Sequence, residues 1–219
     1  MNAYMNLALN ECELLIVYEA SDETNKYLSS MAADFEYFPI GRDALVFIVN
    51  ENNPVKSLSI DQIVDIYSGN IDNWKDVGGK NIEIDAFQRN ATSGSQALMK
   101  KLVMKNVEPA ETPKEKMPSE MGMLIDALAE YNNESNAIGY SVFYYASQMY
   151  TKPGLKFIGV NGVDPSNETI KNKKYPLTND FYAVIRKNEP ENSPARKLAM
   201  WLTGENGKKM IEKCGYVSN

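Results

Sequence analysis

An anion-binding turn is the chemistry that the sequence indicates most directly. The stretch RNATSGSQ, residues 89–96, follows a strand-like apolar run at 82–87 and leads into a helical pattern over 98–103. Its small residues allow a tight turn, and the first amide groups of the helix would point into that turn without intrahelical partners. The helix macrodipole adds about half a positive charge there, and Arg89 supplies a permanent, forked cation beside it.

An ordinary helix cap explains part of the same stretch. Ser93 with Gln96 three residues later fits a capping box, in which these two side chains close the start of the helix without any ligand. Taken alone, the stretch favours this capping box. It is the flanking sequence, described below, that favours an anion-binding turn.

The composition restricts the class of partner. The chain has 219 residues, of which 43% are hydrophobic and 24% charged, enough for one large domain or two small lobes. Its formal net charge of -6 argues against nucleic acid or an anionic membrane as the main partner, because both need a basic face. A bound anion would therefore be attracted by local groups.

Several enzyme and metal-binding classes are excluded by residue type. The sequence has no histidine, and its two cysteines are Cys12 and Cys214. Zinc sites, cysteine–histidine pairs and histidine-based triads are thereby excluded, and we expect neither a metal nor another cofactor. Two free thiols are expected, although a disulfide stays open if the fold brings the cysteines together. No catalytic carboxylate pair can be identified from the sequence, so we expect a binding protein rather than an enzyme.

No membrane span or secretory signal is expected within these residues. The longest apolar run, at 14–18, is far shorter than the ~20 residues that a span needs, and it is expected to form a buried strand. The first six residues contain no basic region followed by an apolar core.

Strands alternate with helices along the chain, which predicts an α/β protein with mainly parallel sheets. Residues 107–118 are expected to form a loop, and residues 161–174 a polar connecting segment. Ser59 with Gln62 predicts a capped helix that ends at Gly69, and Ser193 before Pro194 predicts another helix start. The expected strands are 14–18, 35–38, 44–49, 82–87, 137–141, 155–160 and 181–185, and the expected helices are 3–9, 25–33, 60–68, 98–103, 121–128, 143–149, 194–202 and a last one ending at Cys214.

Several segments together resemble the PstS-like substrate-binding proteins of phosphate ABC transporters, which have the class II periplasmic-binding-protein fold. The resemblance extends along nearly the whole chain. The most specific combination is the block NWKDVGG at 73–79 with the Arg-x-x-x-Ser-Gly-Ser turn at 89–95. The other matching segments are GRDALVFIVN at 41–50, NPV at 53–55, IYSGNI at 66–71, AIGYS at 137–141, and the C-terminal helix pair from Trp201 to Val217.

The resemblance implies a two-lobed fold with a ligand cleft between the lobes. The first lobe would comprise residues 1–44 and 172–219, and the second, residues 45–171, would carry the anion turn. Arg89 would clamp phosphate or a similar oxyanion, and Ser21 and Asp22 would contribute from the first lobe. The second-lobe ligands would be Thr92, Ser93, Gly94 and Ser95, at the helix start. The family also implies an extracytoplasmic location and a membrane permease as partner.

Two departures from the family pattern affect the expected function. Many members have an aspartate where this chain has Ala91, and that carboxylate accepts the proton that hydrogen phosphate carries and sulfate lacks. In addition, the family begins with about 50 more residues, enough for a βαβ unit of the first lobe. We therefore expect a first lobe that is incomplete at its N-terminus, with an exposed sheet edge.

Two functions follow as hypotheses. The first is a phosphate-importer component that captures the ligand in the interlobe cleft and presents it to a permease. The alternative is a truncated or partnered interaction or signalling module with a weak or unused cleft. Self-association could complete its first lobe. Trp74 is expected to pack in the core, whereas Tyr140 and Ser141 could face either the core or the cleft.

Overall fold

A computed structural model describes residues 2–20, 22–91, 93–130 and 136–219. The elements in chain order are α1 (Asn2–Ala8), β1 (Leu15–Tyr18), α2 (Asp22–Ser30), β2 (Phe35–Asn50), β3 (Ser57–Leu58), α3 (Ile60–Ser68), a 3-10 turn (Trp74–Val77), β4 (Asp85–Ala86), α4 (Gly94–Met99) continued by a π-helix (Lys100–Met104), a 3-10 turn (Lys114–Lys116), α5 (Met121–Glu130), β5 (Ala137–Val142), a π-helix (Tyr145–Met149), β6 (Leu155–Val160), α6 (Asn167–Lys171), β7 (Thr178–Arg186), α7 (Pro194–Thr203), α8 (Glu205–Lys213) and β8 (Val217–Ser218). The predicted mixture of helices and strands is confirmed.

The chain divides into two compact units. Unit 1 comprises Met1–Asp43 and Asn179–Asn219, and unit 2 comprises Ala44–Thr178. Strand β2 contributes residues to both units. The predicted lobe boundaries, 44/45 and 171/172, differ from the observed unit boundaries, 43/44 and 178/179. That the two units are ligand-binding lobes stays a prediction.

The sheet of unit 1 ends at β1. Strand β1 pairs antiparallel with β7, with Leu15 opposite Val184, and β7 in turn lies next to β2. Leu15 and Val17 pack against a cluster that includes Leu7 and Leu28, but Ile16 points the other way and is 59% exposed. On the face of Ile16, Leu14 and Tyr18 are partly buried against a second cluster. The prediction of a buried strand at 14–18 is therefore wrong, because β1 is an edge strand whose side chains are at most partly buried on either face.

Helices α7 and α8 of unit 1 pack closely against each other and the sheet. The hydroxyl of Ser193 accepts a hydrogen bond from the Arg196 amide at 3.1 Å, which confirms the predicted start of α7. At Gly207 a Cβ atom would lie 2.4 Å from the Cα atom of Leu202, so only glycine allows this approach. The buried residues here include Ile40, Ala183, Ile185, Ala195, Ala199, Leu202 and Ile211.

The sheet of unit 2 is built around the second half of β2. This half pairs antiparallel with both β5 and β6, with Phe47 opposite Tyr140 and Ile158, respectively. Of the pairs whose register is described, only β3 with β6 and β4 with β5 are parallel. The expectation of mainly parallel sheets is therefore wrong. The apolar run at 44–49 indicates a strand buried on both faces, and a central antiparallel strand is buried in the same way as a parallel one. The predicted strands 35–38 and 44–49 are one 16-residue strand.

The helices of unit 2 follow their local signals where those signals are strong. In α3 the Gln62 amide donates to the Ser59 hydroxyl at 3.0 Å, the Gln62 side chain accepts from the Ser59 amide at 2.9 Å, and Gly69 ends the helix with φ +83°. The predicted helix at 143–149 is wound largely as a π-helix. Helix α6 was missed because it has five residues and little apolar pattern, although Ser166 and Thr169 form a capping box there.

Candidate functional site

The predicted anion turn lies within unit 2, between β4 and α4. The strand expected at 82–87 is reduced to Asp85–Ala86, which pairs in parallel with the start of β5. The helical segment that follows the turn starts at Gly94 and continues through the π-helix to Met104. The first half of α4 is buried at Ser95 and Gln96, so the turn is held inside the unit rather than projecting from it.

The start of α4 is not closed by a capping box. Ser93 occupies the N-cap position, but its side chain makes no capping hydrogen bond; its hydroxyl lies 3.0 Å from that of Ser95. Among the described residues, the first intrahelical bond is donated by the Ala97 amide to the Ser93 carbonyl at 3.0 Å. The amides of residues 94–96 precede it, in the first turn, where amides lack intrahelical acceptors. The capping-box interpretation of Ser93 and Gln96 is therefore wrong.

Gln96 instead bonds to Tyr140, which also supports the turn. The Tyr140 hydroxyl donates to Oε1 of Gln96 and accepts a hydrogen bond from the Arg89 amide at 3.0 Å. Tyr140 is fully buried, and burial raises its pKa to about 12, although the bond to Arg89 opposes that rise. Tyr140 is consequently neutral at physiological pH and connects the first residue of the turn to the third residue of α4.

Arg89 is a buried cation with one unused donor group. Its Nε donates to the Pro118 carbonyl at 3.1 Å and its Nη2 to the Ser119 carbonyl at 2.9 Å. Its Nη1 is buried and has no hydrogen-bond partner among the described residues. The side of the guanidinium that includes Nε is thus occupied by carbonyl groups, which neutralise no charge.

The electrostatics of Arg89 follow from its burial. Only 6% of the residue is exposed, and this desolvation lowers the pKa of the guanidinium, partly opposed by the tyrosine hydroxyls and Glu120. An arginine keeps its proton in proteins even so, because its pKa starts above 12. No ion pair joins Arg89 to a carboxylate in the part of the chain that the structure describes. The turn therefore holds a positive charge that lacks a counter-charge in contact with it.

The loop that ends at Ser119 is fastened to the same turn. The Gln88 side chain donates to the Ala110 carbonyl at 3.0 Å and to the Thr112 hydroxyl at 2.6 Å, and Lys116 forms an ion pair with Asp85. Sequence reasoning predicted a loop over 107–118 but missed its attachment, because these partners are distant in sequence. Glu111, Glu115 and Glu120 in this region are exposed.

A cavity of about 250 Å³ lies beside the turn, entirely within unit 2. Its lining includes Arg89 and Ala91 from the turn, Gln96 and Lys100 from the helical segment, and Ala110 and Met117 from the loop. Ser93, Gly94 and Ser95 do not line it. The cavity therefore flanks the helical segment rather than sitting on the axis of its N-terminus.

Three of the predicted ligands fall where the structure gives no side-chain description. Ser21 and Thr92 lie outside the described residues, and Asp22 is described only as the first residue of α2. Arg89, Ser93, Gly94 and Ser95 are described, and all four belong to the turn in unit 2. Whether they bind a ligand stays a prediction.

The other residues singled out from the sequence have structural positions. Trp74 is buried, as predicted, and its indole donates to the Asn136 carbonyl at 2.8 Å. Ser141 is also buried, with no partner for its hydroxyl among the described residues. Cys12 and Cys214 are not joined in a disulfide, as expected.

The described residues contain neither a metal-binding cluster nor a helix able to span a membrane. No group of three or more acidic or thiol side chains is arranged to hold a metal ion. None of the helices there combines the length and apolar character needed to cross a membrane.

Comparison with known proteins gives a consistent family. The profile of the PBP superfamily domain matches residues 13–206. The chain is 26% identical over 179 residues to the phosphate-binding protein PstS of Borreliella burgdorferi, covering 80% of this chain and 63% of that protein. It is 25% identical over 206 residues to the phosphate-binding protein PstS of Staphylococcus haemolyticus, covering 90% and 62%. The chain thus spans less than two thirds of the length of these relatives.

Solved structures agree with this assignment at the level of the fold. An ABC-type phosphate transport receptor from Vibrio cholerae superimposes with a TM-score of 0.76 at 24% identity, covering 97% of this chain and 82% of that one. The PstS structure from Borrelia burgdorferi gives a TM-score of 0.65 at 22% identity, covering 98% and 82%. The predicted α/β fold of the periplasmic-binding-protein class is confirmed, and this chain belongs to the PBP superfamily.

Proposed function

We propose that this chain is the solute-binding component of an ABC importer for phosphate or a closely related oxyanion. Its relatives that are named phosphate-binding proteins support the ligand class. The observation that carries the proposal is the buried Arg89 guanidinium, whose Nη1 has no partner among the described residues. A bound oxyanion would supply the counter-charge that this turn lacks.

The physical case rests on the cost of burying an unpaired charge. A charged group taken out of water is stable only if hydrogen bonds and an opposite charge replace its hydration. Two carbonyls bond to Arg89 but leave its charge in place. The adjacent amides of residues 94–96 are donors of the kind that bind oxyanions at helix starts. An oxyanion accepts from both groups, so it fits this turn better than a neutral ligand does.

The proposed ligand set in unit 2 comprises Arg89, Thr92, Ser93, Gly94 and Ser95. Contributions from Ser21 and Asp22, which belong to unit 1, stay a prediction. In the proposed role the protein carries out no catalysis. It captures the anion outside the cytoplasmic membrane and presents it to a membrane permease.

The selectivity for phosphate over sulfate should be lower here than in relatives that have an aspartate in the turn. Ala91 offers no acceptor for the proton of hydrogen phosphate, and its small side chain is exposed. Both dianions can accept from the Arg89 guanidinium and from backbone amides. We expect phosphate to bind more tightly than sulfate, but by a modest factor.

Isothermal titration calorimetry tests this function directly. The protein is titrated with sodium phosphate and with sodium sulfate, at constant ionic strength set by chloride. Saturable heat with phosphate, weaker heat with sulfate and none with added chloride is the expected result. A protein that gives no heat with any tetrahedral oxyanion, and whose melting temperature phosphate does not raise, would contradict the proposal.

The alternative function, an interaction module that self-associates, is favoured by one observation. Strand β1 is the last strand of its sheet in the described part of the chain, and Ile16 on it is 59% exposed. Unpaired sheet edges are templates for association with another chain. Size-exclusion chromatography with light scattering separates the two functions. A stable dimer that is indifferent to phosphate supports the module, whereas a monomer stabilised by phosphate supports the importer component.

A further inference from the structure

The cavity beside the anion turn is larger than an inorganic oxyanion needs. A phosphate or sulfate ion has five non-hydrogen atoms, whereas the cavity measures about 250 Å³, and a water molecule in the liquid occupies about 30 Å³. An inorganic anion bound at the turn would therefore leave most of this space to solvent. Space of this kind next to a binding group is suited to a further part of the ligand.

Ala91 connects the turn with the cavity. It belongs to the residue 89–96 stretch and also lines the cavity. A carboxylate at this position would add a negative charge to the cavity lining, whereas the alanine side chain is small and uncharged. The lining next to the turn is therefore suited to an uncharged substituent on the bound anion.

The cavity is lined by both cationic and apolar side chains. Arg89 and Lys100 are its two cations. Pro109, Ala110 and Met117 contribute apolar surface. Glu111 is the one carboxylate among the described lining residues, and it disfavours a second anionic group on the ligand.

From these observations we infer that the ligand of this chain is an organic phosphoryl compound. Its phosphoryl group occupies the Arg89 turn, and a short uncharged aliphatic substituent fills the cavity lined by Ala91, Ala110 and Met117. Alkylphosphonates and alkyl phosphomonoesters share this chemistry. The inference rests on the proposed function, since it assumes that the turn binds the phosphoryl group.

A homologous series of ligands measures the effect of the substituent. Calorimetry compares inorganic phosphate with methyl-, ethyl-, propyl- and butylphosphonate, and with propyl phosphate, which has the length of butylphosphonate but an ester oxygen. Because each buried methylene favours binding through the hydrophobic effect, the affinity should rise about twofold to fourfold for each added carbon. Butylammonium chloride, which lacks the phosphoryl group, should give no heat.

Two matched variants locate the substituent. Met117→Trp places a larger side chain at the cavity, whereas Met149→Trp alters a methionine that is 62% exposed and does not line it. Met117→Trp should weaken butylphosphonate at least tenfold and leave inorganic phosphate within twofold. Met149→Trp should change neither affinity by more than twofold.

The outcomes separate this inference from the function on which it rests. If inorganic phosphate binds, affinity falls or stays constant along the phosphonate series, and propyl phosphate binds no more tightly than inorganic phosphate, the inference is overturned and the proposed function stands. If the affinity rises along the series equally in wild type and Met117→Trp, the assignment of the cavity is overturned. If neither phosphate nor any phosphonate binds, both proposals fail. Tight binding of propyl phosphate with weak binding of butylphosphonate supports the inference and narrows the class to phosphomonoesters.

Discussion

Arg89 in unit 2 and Arg196 in unit 1 both donate hydrogen bonds to backbone carbonyls, but among the described residues only Arg196 also contacts a carboxylate. Arg196 donates from Nε and Nη2 to the Glu189 carbonyl, at 3.2 and 3.1 Å, and its Nη1 reaches a carboxylate oxygen of Glu36 at 2.7 Å. Arg89 donates from Nε and Nη2 to the carbonyls of residues 118 and 119, and its Nη1 has no partner among the described residues.

Arg186 of unit 1 follows the pattern of Arg196. Its Nη1 donates to the carbonyls of Leu7 and Cys12, and its Nη2 forms an ion pair with Glu189 at 2.9 Å. Arg186 and Arg196 thus both donate to backbone carbonyls and also contact a carboxylate. Arg186 and Arg196 thus complete structural networks, whereas Arg89 retains a buried Nη1 without a partner among the described residues, the group that the proposed function assigns to a ligand.

The largest expected effect is a loss of stability at high pH. It tests how much the buried, neutral tyrosines of each unit contribute to the free energy of unfolding. Burial raises the pKa of Tyr18 in unit 1 and of Tyr67, Tyr140 and Tyr175 in unit 2. In the unfolded chain these groups titrate near pH 10. Their contribution to stability is therefore complete below pH 10 and is lost as the pH rises from 10 toward the folded values.

For each such tyrosine the loss is about 1.4 kcal/mol per pH unit, so several kcal/mol should be lost by pH 12. Urea unfolding at pH 8, 9, 10, 11 and 12 measures it. Because Tyr140 has a folded pKa of about 12, the turn in unit 2 should lose its support at the upper end of this range. An unfolding free energy that stays constant from pH 9 to 12 would show that these hydroxyls are not buried.

The second prediction tests the comparison of the two arginines directly. Arg89→Met keeps an apolar side chain and removes the charge, and we expect phosphate affinity to fall about 10- to 100-fold, the range for a charged hydrogen bond. Arg196→Met removes a charge whose partner Glu36 is half-exposed, and it should lower stability by about 1 kcal/mol.

Phosphate affinity of Arg196→Met should remain within twofold of wild type. Calorimetry with phosphate and thermal melts of both variants check these expectations. Equal losses of affinity in the two variants would remove the distinction between Arg89 and Arg196.

The third prediction concerns the tyrosine that supports the turn. Tyr140→Phe removes the hydroxyl that bonds to the Arg89 amide and to Gln96, leaving a buried donor and a buried acceptor unpaired. The free energy of unfolding should fall by about 1 to 3 kcal/mol. Tyr27→Phe, at a residue that is 47% exposed, serves as the control and should fall within about 0.5 kcal/mol of wild type. A Tyr140→Phe protein as stable as this control would contradict the proposed support.

The smallest expected effect concerns selectivity at the turn. Ala91→Asp adds an acceptor for the proton of hydrogen phosphate and a charge that repels sulfate, and it should raise the phosphate-to-sulfate affinity ratio about tenfold, the size of one charged hydrogen bond. Ala91→Asn has nearly the same shape without the charge and should leave the ratio within threefold. A ratio that rises equally in both variants would assign the effect to shape rather than to charge.

Local sequence signals predicted the features whose partners are close in the chain. The caps of α3 and α7 are examples, because Ser59 and Gln62, or Ser193 and the Arg196 amide, lie three residues apart and need no tertiary partner. The apolar run at 44–49 likewise predicted a buried strand. The resemblance in motifs was sufficient to predict the superfamily.

The direction of strand pairing could not be read from the same signals. An apolar strand indicates burial on both faces, but not whether its neighbours run parallel or antiparallel to it. Periodicity also failed to show that Ile16 lies on an edge strand and is exposed, because the position of a strand in its sheet depends on the remainder of the fold.

At the anion turn, the sequence determined the residue types and tertiary structure decided how they are used. Small residues before a helix, with an arginine beside them, are visible in the sequence. The same residues also fit a capping box. Gln96 does not form one, because its side chain bonds to Tyr140, which lies 44 residues from Gln96 and 51 from Arg89. The carbonyls of Pro118 and Ser119 similarly accept from two nitrogens of Arg89, and the third has no partner in the described part of the chain. Hydrogen bonds form according to distance in space, so bonds between segments far apart in the chain are fixed only when the fold brings those segments together.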